Sequence, residues 1–178
     1  LSQQIGHSLR RAMKLLMHVA AVLALCPAPA VSANDWPQWR GPQRDDVSTE
    51  TGLLKEWPAG GPKLLFKTAD IGGGYSSVAT SGDRAFTMGD KGEECFLIAL
   101  SRADGRMVWS TKVGKSGAPG WGGYAGPRCT PATDGERVFA VDQWGDFVCA
   151  DAKTGAVQWS KEYGKDFGGK RPEWGFAE

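Results

Sequence analysis

A chain of 178 residues with 21 Lys and Arg against 20 Asp and Glu is close to electrically balanced. That excludes the basic footprint of a nucleic-acid binder and gives little attraction to an anionic membrane surface. Both histidines, His7 and His18, lie before residue 34, so the body of the chain cannot build a Ser-His-Asp triad, a Cys-His pair or a His-ligated zinc site from its own residues.

At the N-terminus, Arg10, Arg11 and Lys14 precede an apolar run from Leu15 to Cys26, and small residues follow, ending Val31-Ser32-Ala33. This order predicts a secretory signal peptide that starts at Met13, with residues 1 to 12 as an upstream extension, and is cleaved after Ala33. The apolar run is shorter than the roughly 20 residues that span a bilayer, so the protein is expected to be exported, periplasmic or secreted, and not membrane-spanning. Lipid anchoring through Cys26 is disfavoured because Leu25 is bulkier than the small residue such sites carry, and the flanks of Arg10-Arg11 fit twin-arginine export poorly. Without residues 1 to 33 the chain is slightly acidic.

Residues 34 to 60 contain Trp36, Trp39 and Trp57 among Pro37, Pro42 and Pro58, with no periodicity. They read as an extended arm wrapped over the rest of the chain and anchored by its tryptophans. Pro62 to Lys67 then reads as a solitary outer strand. From Ser77 onward the chain repeats itself: Ser77 to Phe86 matches Thr130 to Phe139, and Ala99 to Trp109 matches Cys149 to Trp159. A turn glycine, Gly105 or Gly155, stands four residues before each tryptophan, and repeat one is three residues longer at a hairpin tip, Lys91-Gly92-Glu93 against Trp144-Gly145.

Each repeat divides into four short runs of β-branched and aromatic residues bounded by turn chemistry. The predicted strands are 75 to 80, 84 to 90, 94 to 101 and 106 to 111, then 128 to 133, 137 to 142, 146 to 151 and 156 to 162, with no helix. Four antiparallel strands in about 40 to 50 residues is the period of a β-propeller blade. The third strands, Phe96 to Leu100 and Phe147 to Ala150, are continuously apolar, as strands covered on both faces are. In the turn before Trp159, Asp151 and, more weakly, Thr154 can accept backbone N–H bonds, while Gly155 supplies a positive φ. Trp109 and Trp159 are expected to pack against a neighbouring blade.

The pattern A-x-D-x-x-T-G-x-x-x-W is carried here by Asp151, Thr154, Gly155 and Trp159, with Cys149 in place of the alanine. It resembles the blade signature of pyrroloquinoline-quinone-type, tryptophan-docking propeller repeats. That family includes quinoprotein alcohol dehydrogenases and the propeller lipoprotein of the outer-membrane β-barrel assembly machine. Asp35 to Pro42, Asp-Trp-Pro-Gln-Trp-Arg-Gly-Pro, looks like the leader of secreted bacterial members. The resemblance covers about residues 35 to 178 and implies an all-β propeller, with blades at about 74 to 114 and 124 to 164 inside an incomplete propeller over 61 to 178. It also implies that Phe66 stands near a docking-tryptophan position, and that further blades, seven or eight in all over about 350 to 450 residues, close the ring. The chain is accordingly read as an N-terminal fragment.

Fold alone does not fix function. The reading favoured is a non-catalytic platform for a protein or glycan partner, with Trp121, Tyr124 and Arg128 as candidate interaction residues because such side chains anchor interfaces. The alternative implied by the resemblance is a dehydrogenase that binds pyrroloquinoline quinone with Ca²⁺ and whose cofactor ligands lie in the missing blades. It would need a flat aromatic floor, for which Trp121 or Trp144 is available, and carboxylates, for which Asp142, Asp146 or Asp166 is available. These residues form no recognisable arrangement in the sequence, so no cofactor, metal or catalytic residue is predicted. Cys95, Cys129 and Cys149 fit either one disulfide with an odd thiol or three small buried hydrophobes.

Overall fold

The computed structural model describes residues 34–120 and 124–177; the predicted signal peptide, Cys26 and Trp121 lie outside the described residues. Two sheets follow one another along the chain. The first holds β1 (Ala79–Ser81), β2 (Arg84–Lys91), β3 (Glu94–Ser101) and β4 (Met107–Lys115), and the second β5 (Ala132–Thr133), β6 (Arg137–Val141), β7 (Asp146–Asp151) and β8 (Val157–Glu162). Strands pair in sequence order, antiparallel throughout. The extra residues of repeat one lengthen the β2–β3 hairpin, as its tip sequence predicts.

The repeat is reproduced down to its irregularities. A register shift falls between Ala99 and Leu100 in one sheet and between Cys149 and Ala150 in the other. Phe86 lies 5.9 Å from Trp109 at an interplanar angle of 41°, and the equivalent Phe139 lies 6.1 Å from Trp159 at 46°. Continuously apolar β3 and β7 carry the buried core, where Phe86, Leu97 and Ala99 of the first sheet meet Val138, Val148 and Ala150 of the second.

Three expectations are corrected. The inner strands β1 and β5 begin later than predicted. Tyr75 N–H donates to Pro127 O at 2.8 Å and Ser76 Oγ to Cys129 O at 2.7 Å, so these residues reach the neighbouring unit, and Ser76 meets β2 only through its side chain, which accepts from Met88 N–H at 3.0 Å; in repeat two Pro131 has no N–H to offer. Second, a short helix α1 (Tyr163–Phe167) does form. The Glu162 carboxylate accepts from the N–H groups of Gly164 and Lys165, Asp166 accepts from Glu162 N–H at 2.7 Å, and Gly168 ends the turn at a φ of 66°. Third, residues 62–67 join no strand ladder.

The arm docks through its first residues. Trp36 forms an antiparallel bridge with Thr80 of β1, and Pro37 O accepts from Thr133 N–H of β5 at 2.8 Å, so one dipeptide ties both inner strands. Asp35 accepts from Gly82 N–H and from Arg102. The Asp-Trp-Pro-Gln-Trp-Arg-Gly-Pro segment folds on itself: Trp36 Nε1 donates to Trp39 O, Gln38 Nε2 donates to Gly41 O, and the Trp36 ring lies against Gly41. Trp36 is the anchor, whereas the rings of Trp39 and Trp57 stand 59% and 70% exposed and do not serve as the anchors their sequence suggests.

Candidate functional site

At one end of the sheets the β3–β4 and β7–β8 turns form sockets. In the second, Asp151 Oδ1 accepts from Thr154 Oγ1 and from the N–H groups of Thr154 and Lys153, which together hold its carboxyl below the usual range. Gly155 is buried under Trp109 of the preceding sheet. Trp109 Nε1 donates to Ala152 O at 3.2 Å, and Thr111 Oγ1 donates to Gly155 O at 2.6 Å. Gly105 is occupied in the same way by Phe66, with Thr68 Oγ1 donating to Gly105 O at 2.8 Å. Asp104, in the less regular first turn, is held at about 2 by the Arg106 guanidinium and Ser101. Trp159 occupies no socket among the described residues and is 40% exposed.

The other end gathers the segments leading into β1 and β5 with the two central hairpins. Tyr75 and Tyr124, one from each segment, meet edge to face with centroids 5.9 Å apart, and both are largely exposed. Arg128 sits 5.7 Å from the Tyr75 ring and donates to Tyr124 O at 2.6 Å and Gly126 O at 2.8 Å. Of the three predicted interaction residues, Tyr124 is thus presented to solvent, Arg128 is engaged in bracing the loop, and Trp121 lies outside the described residues. Tyr75 is not one of those three residues, but its loop, Gly74-Tyr75-Ser76, is marked by the sequence together with Trp121 to Arg128 as aromatic lead-ins that cluster at one end.

Beside this pair a polar seam joins the two sheets. Gln143, fully buried, donates from Nε2 to the Asp90 carboxylate at 3.1 Å and to Gly117 O at 3.0 Å, and Asp90 also accepts from Gly117 N–H. Trp144 Nε1 donates to Ser116 O, while Lys115 Nζ and the Arg171 guanidinium lie 4.0 and 4.8 Å from its ring centre. Asp142 is buried in the hairpin turn, where burial raises its carboxyl to about 6.

These residues do not fit a quinone with its cation. Two side-chain cations already lie against the Trp144 ring, where a flat floor would have to be bare, and Asp166 is engaged by the N–H of the helix-capping Glu162. Asp142 spends one carboxylate oxygen on three backbone N–H groups. Among the described residues no three His, Cys, Asp or Glu side chains gather as a metal ion would require. Cys95, Cys129 and Cys149 are buried and no disulfide joins any two of them, so of the two readings left open the small-hydrophobe one holds.

Repeated four-stranded sheets joined by a ring-in-socket contact define the class: these are blades of a β-propeller. The chain belongs to the PQQ-like repeat family; the family model described as "Outer membrane protein assembly factor BamB" matches residues 38–168. No curated protein matches it. Among solved structures it is similar to the quinohemoprotein alcohol dehydrogenase ADHIIG from Pseudomonas putida HK5, at 19% identity and a TM-score of 0.42 over 59% of this chain. The chain spans only 15% of the length of that structure.

Proposed function

We propose that this chain belongs to an exported propeller that serves as a rigid binding platform for a protein or glycan partner, with further blades completing the ring. The observation that carries the reading is the exposed Tyr75–Tyr124 pair. Two loops from adjacent blades bring the rings together, and Arg128 spends its donors on fixing the loop beneath them. Large aromatic rings held in place contribute contact area with little ordering cost, the property of an interface anchor. The leader pattern that the sequence predicts, ending at Ala33, supports export.

The test uses the full-length protein with a photo-crosslinking residue beside Tyr124, and a variant carrying Tyr75→Ala and Tyr124→Ala. Loss of a specific crosslink at unchanged melting temperature supports the platform. Retention of the crosslink with a lowered melting temperature reduces the pair to scaffold. A thermal shift and absorbance change on adding pyrroloquinoline quinone with Ca²⁺ would instead favour a dehydrogenase.

A further inference from the structure

The β6–β7 hairpin is built around one carboxyl group whose two oxygens have different fates. Oδ1 of the fully buried Asp142 accepts from the N–H groups of Trp144 at 2.8 Å, Gly145 at 2.9 Å and Asp146 at 2.9 Å. Oδ2 is equally buried and has no hydrogen-bond partner. It faces Gly114 of β4 in the adjoining blade, where an added Cβ would lie 2.1 Å from it and 2.4 Å from Oδ2 of Asp146. The two oxygens are therefore within about 4.5 Å of each other.

Two ionised carboxylates at that spacing, one of them with an oxygen cut off from water and from any donor, repel strongly. A proton on Asp142 Oδ2 removes the repulsion and turns the orphaned atom into a donor toward Asp146. We propose that Asp142 and Asp146 hold one proton between them beside Gly114, making a pH-sensitive latch within the β6–β7 hairpin where it packs on β4 of the adjoining blade.

The surroundings favour the protonated pair. Burial is the main cause that raises Asp142, with the charge of Asp146 adding to it against the three backbone N–H bonds. Asp146 is raised by its own burial and by Glu162 of β8, against which Lys115 of β4 acts. Cys95 of β3, which faces both Asp142 and Asp90, is a buried thiol pushed far up and stays neutral. Asp90 is engaged with Gln143 and Gly117. A divalent cation is a poorer occupant, since no third acidic or thiol ligand joins the pair among the described residues and the Gly114 backbone closes one side.

A carboxyl whose folded pKa lies above its unfolded value of about 4 stabilises the fold fully below that pH, and its contribution is lost as the pH rises through about 6. The latch is shut in acid and loosens toward neutrality. Infrared spectra of the protein are expected to show a protonated-carboxyl band that persists to about pH 6 and is missing in Asp142→Asn. The melting temperature is expected to fall by about 5 °C between about pH 5 and about pH 8. In Asp142→Asn, whose amide donates permanently, that fall should be largely removed. A native protein without the band at about pH 5, or a variant with an undiminished pH response, overturns the proposal. Recovery of the native melting temperature at about pH 8 on adding Ca²⁺ alone overturns it too, because a cation would then be the occupant.

Discussion

The indole of Trp109 lies against the bare backbone of Gly155, so close that a Cβ added there would fall 2.7 Å from its Cδ2 and Cε3 atoms. Gly155 also holds a φ of 75°. Gly155→Ala is therefore expected to combine backbone strain of about 1–2 kcal/mol with displacement of the ring, about 3 kcal/mol in all. Gly82→Ala is the control, because its φ is 56° but nothing lies within 4 Å of the added atom; it should cost about 1 kcal/mol. Urea unfolding followed by tryptophan fluorescence separates the two.

The two docking-type tryptophans should not be equivalent in this chain. Trp109 is half-buried in the next blade's socket and its truncation to Ala is expected to cost about 3 kcal/mol. Trp159 rests on Phe139 and Phe147 of its own sheet and is otherwise open, so Trp159→Ala should cost about 1 kcal/mol. Equal losses in chemical denaturation would mean that the socket contributes nothing.

Arm attachment depends on very few residues. Trp36→Ala removes the ring that packs against Gly41 and the indole bond to Trp39 O, though the backbone bridge to Thr80 can still form. Limited proteolysis is expected to cut the variant between residues 34 and 60 several times faster than the native chain, while the strands β1 to β4 and β5 to β8 stay protected.

Gln143 is the buried link between the blades. Gln143→Ala strands the Asp90 carboxylate beside Gly117 and should cost about 2–3 kcal/mol. Asp90→Asn with Gln143 intact should cost less, since an amide can still accept from Gly117 N–H. Paired melting curves of the two variants and the double variant give the coupling.

Cys95, Cys129 and Cys149 are buried with no disulfide among them, and burial raises the Cys95 and Cys149 thiols. Their reaction with a disulfide reagent is expected to be negligible in the native protein and complete in denaturant. Rapid native reaction at Cys95 would contradict the packed seam.

Much of the fold is legible because the repeat is local in sequence. Gly105 and Gly155 before Trp109 and Trp159 give turn chemistry, spacing and strand order at once, and even the match of Phe66 to the docking position can be read. The polar seam is not legible. Asp142-Gln143-Trp144-Gly145 reads as an ordinary hairpin tip, and its burial depends on Gly114, Gly117 and Arg171, which only folding brings near. For the same reason Arg128 reads as an interface anchor, although its donors are taken by carbonyls of the preceding loop. The segments before β1 and β5 read as strand because their residues suit a sheet, yet between Tyr75 and Cys129 they bond to each other across the blades, and only Gly73 and the Ser76 side chain bond back to β2.

The ring-and-glycine fit has a direction. Each unit offers an aromatic on one flank and a cavity on the other, as Phe66 with Gly105 and Trp109 with Gly155 illustrate. A head-to-tail contact of this kind either returns to its starting point after a whole number of steps or runs on indefinitely. Which of these happens is set by the small rotation per step, and so by the bulk of the side chains wedged between neighbours. A substitution beside Gly155 would therefore change the pitch of the stack before it changed any single sheet.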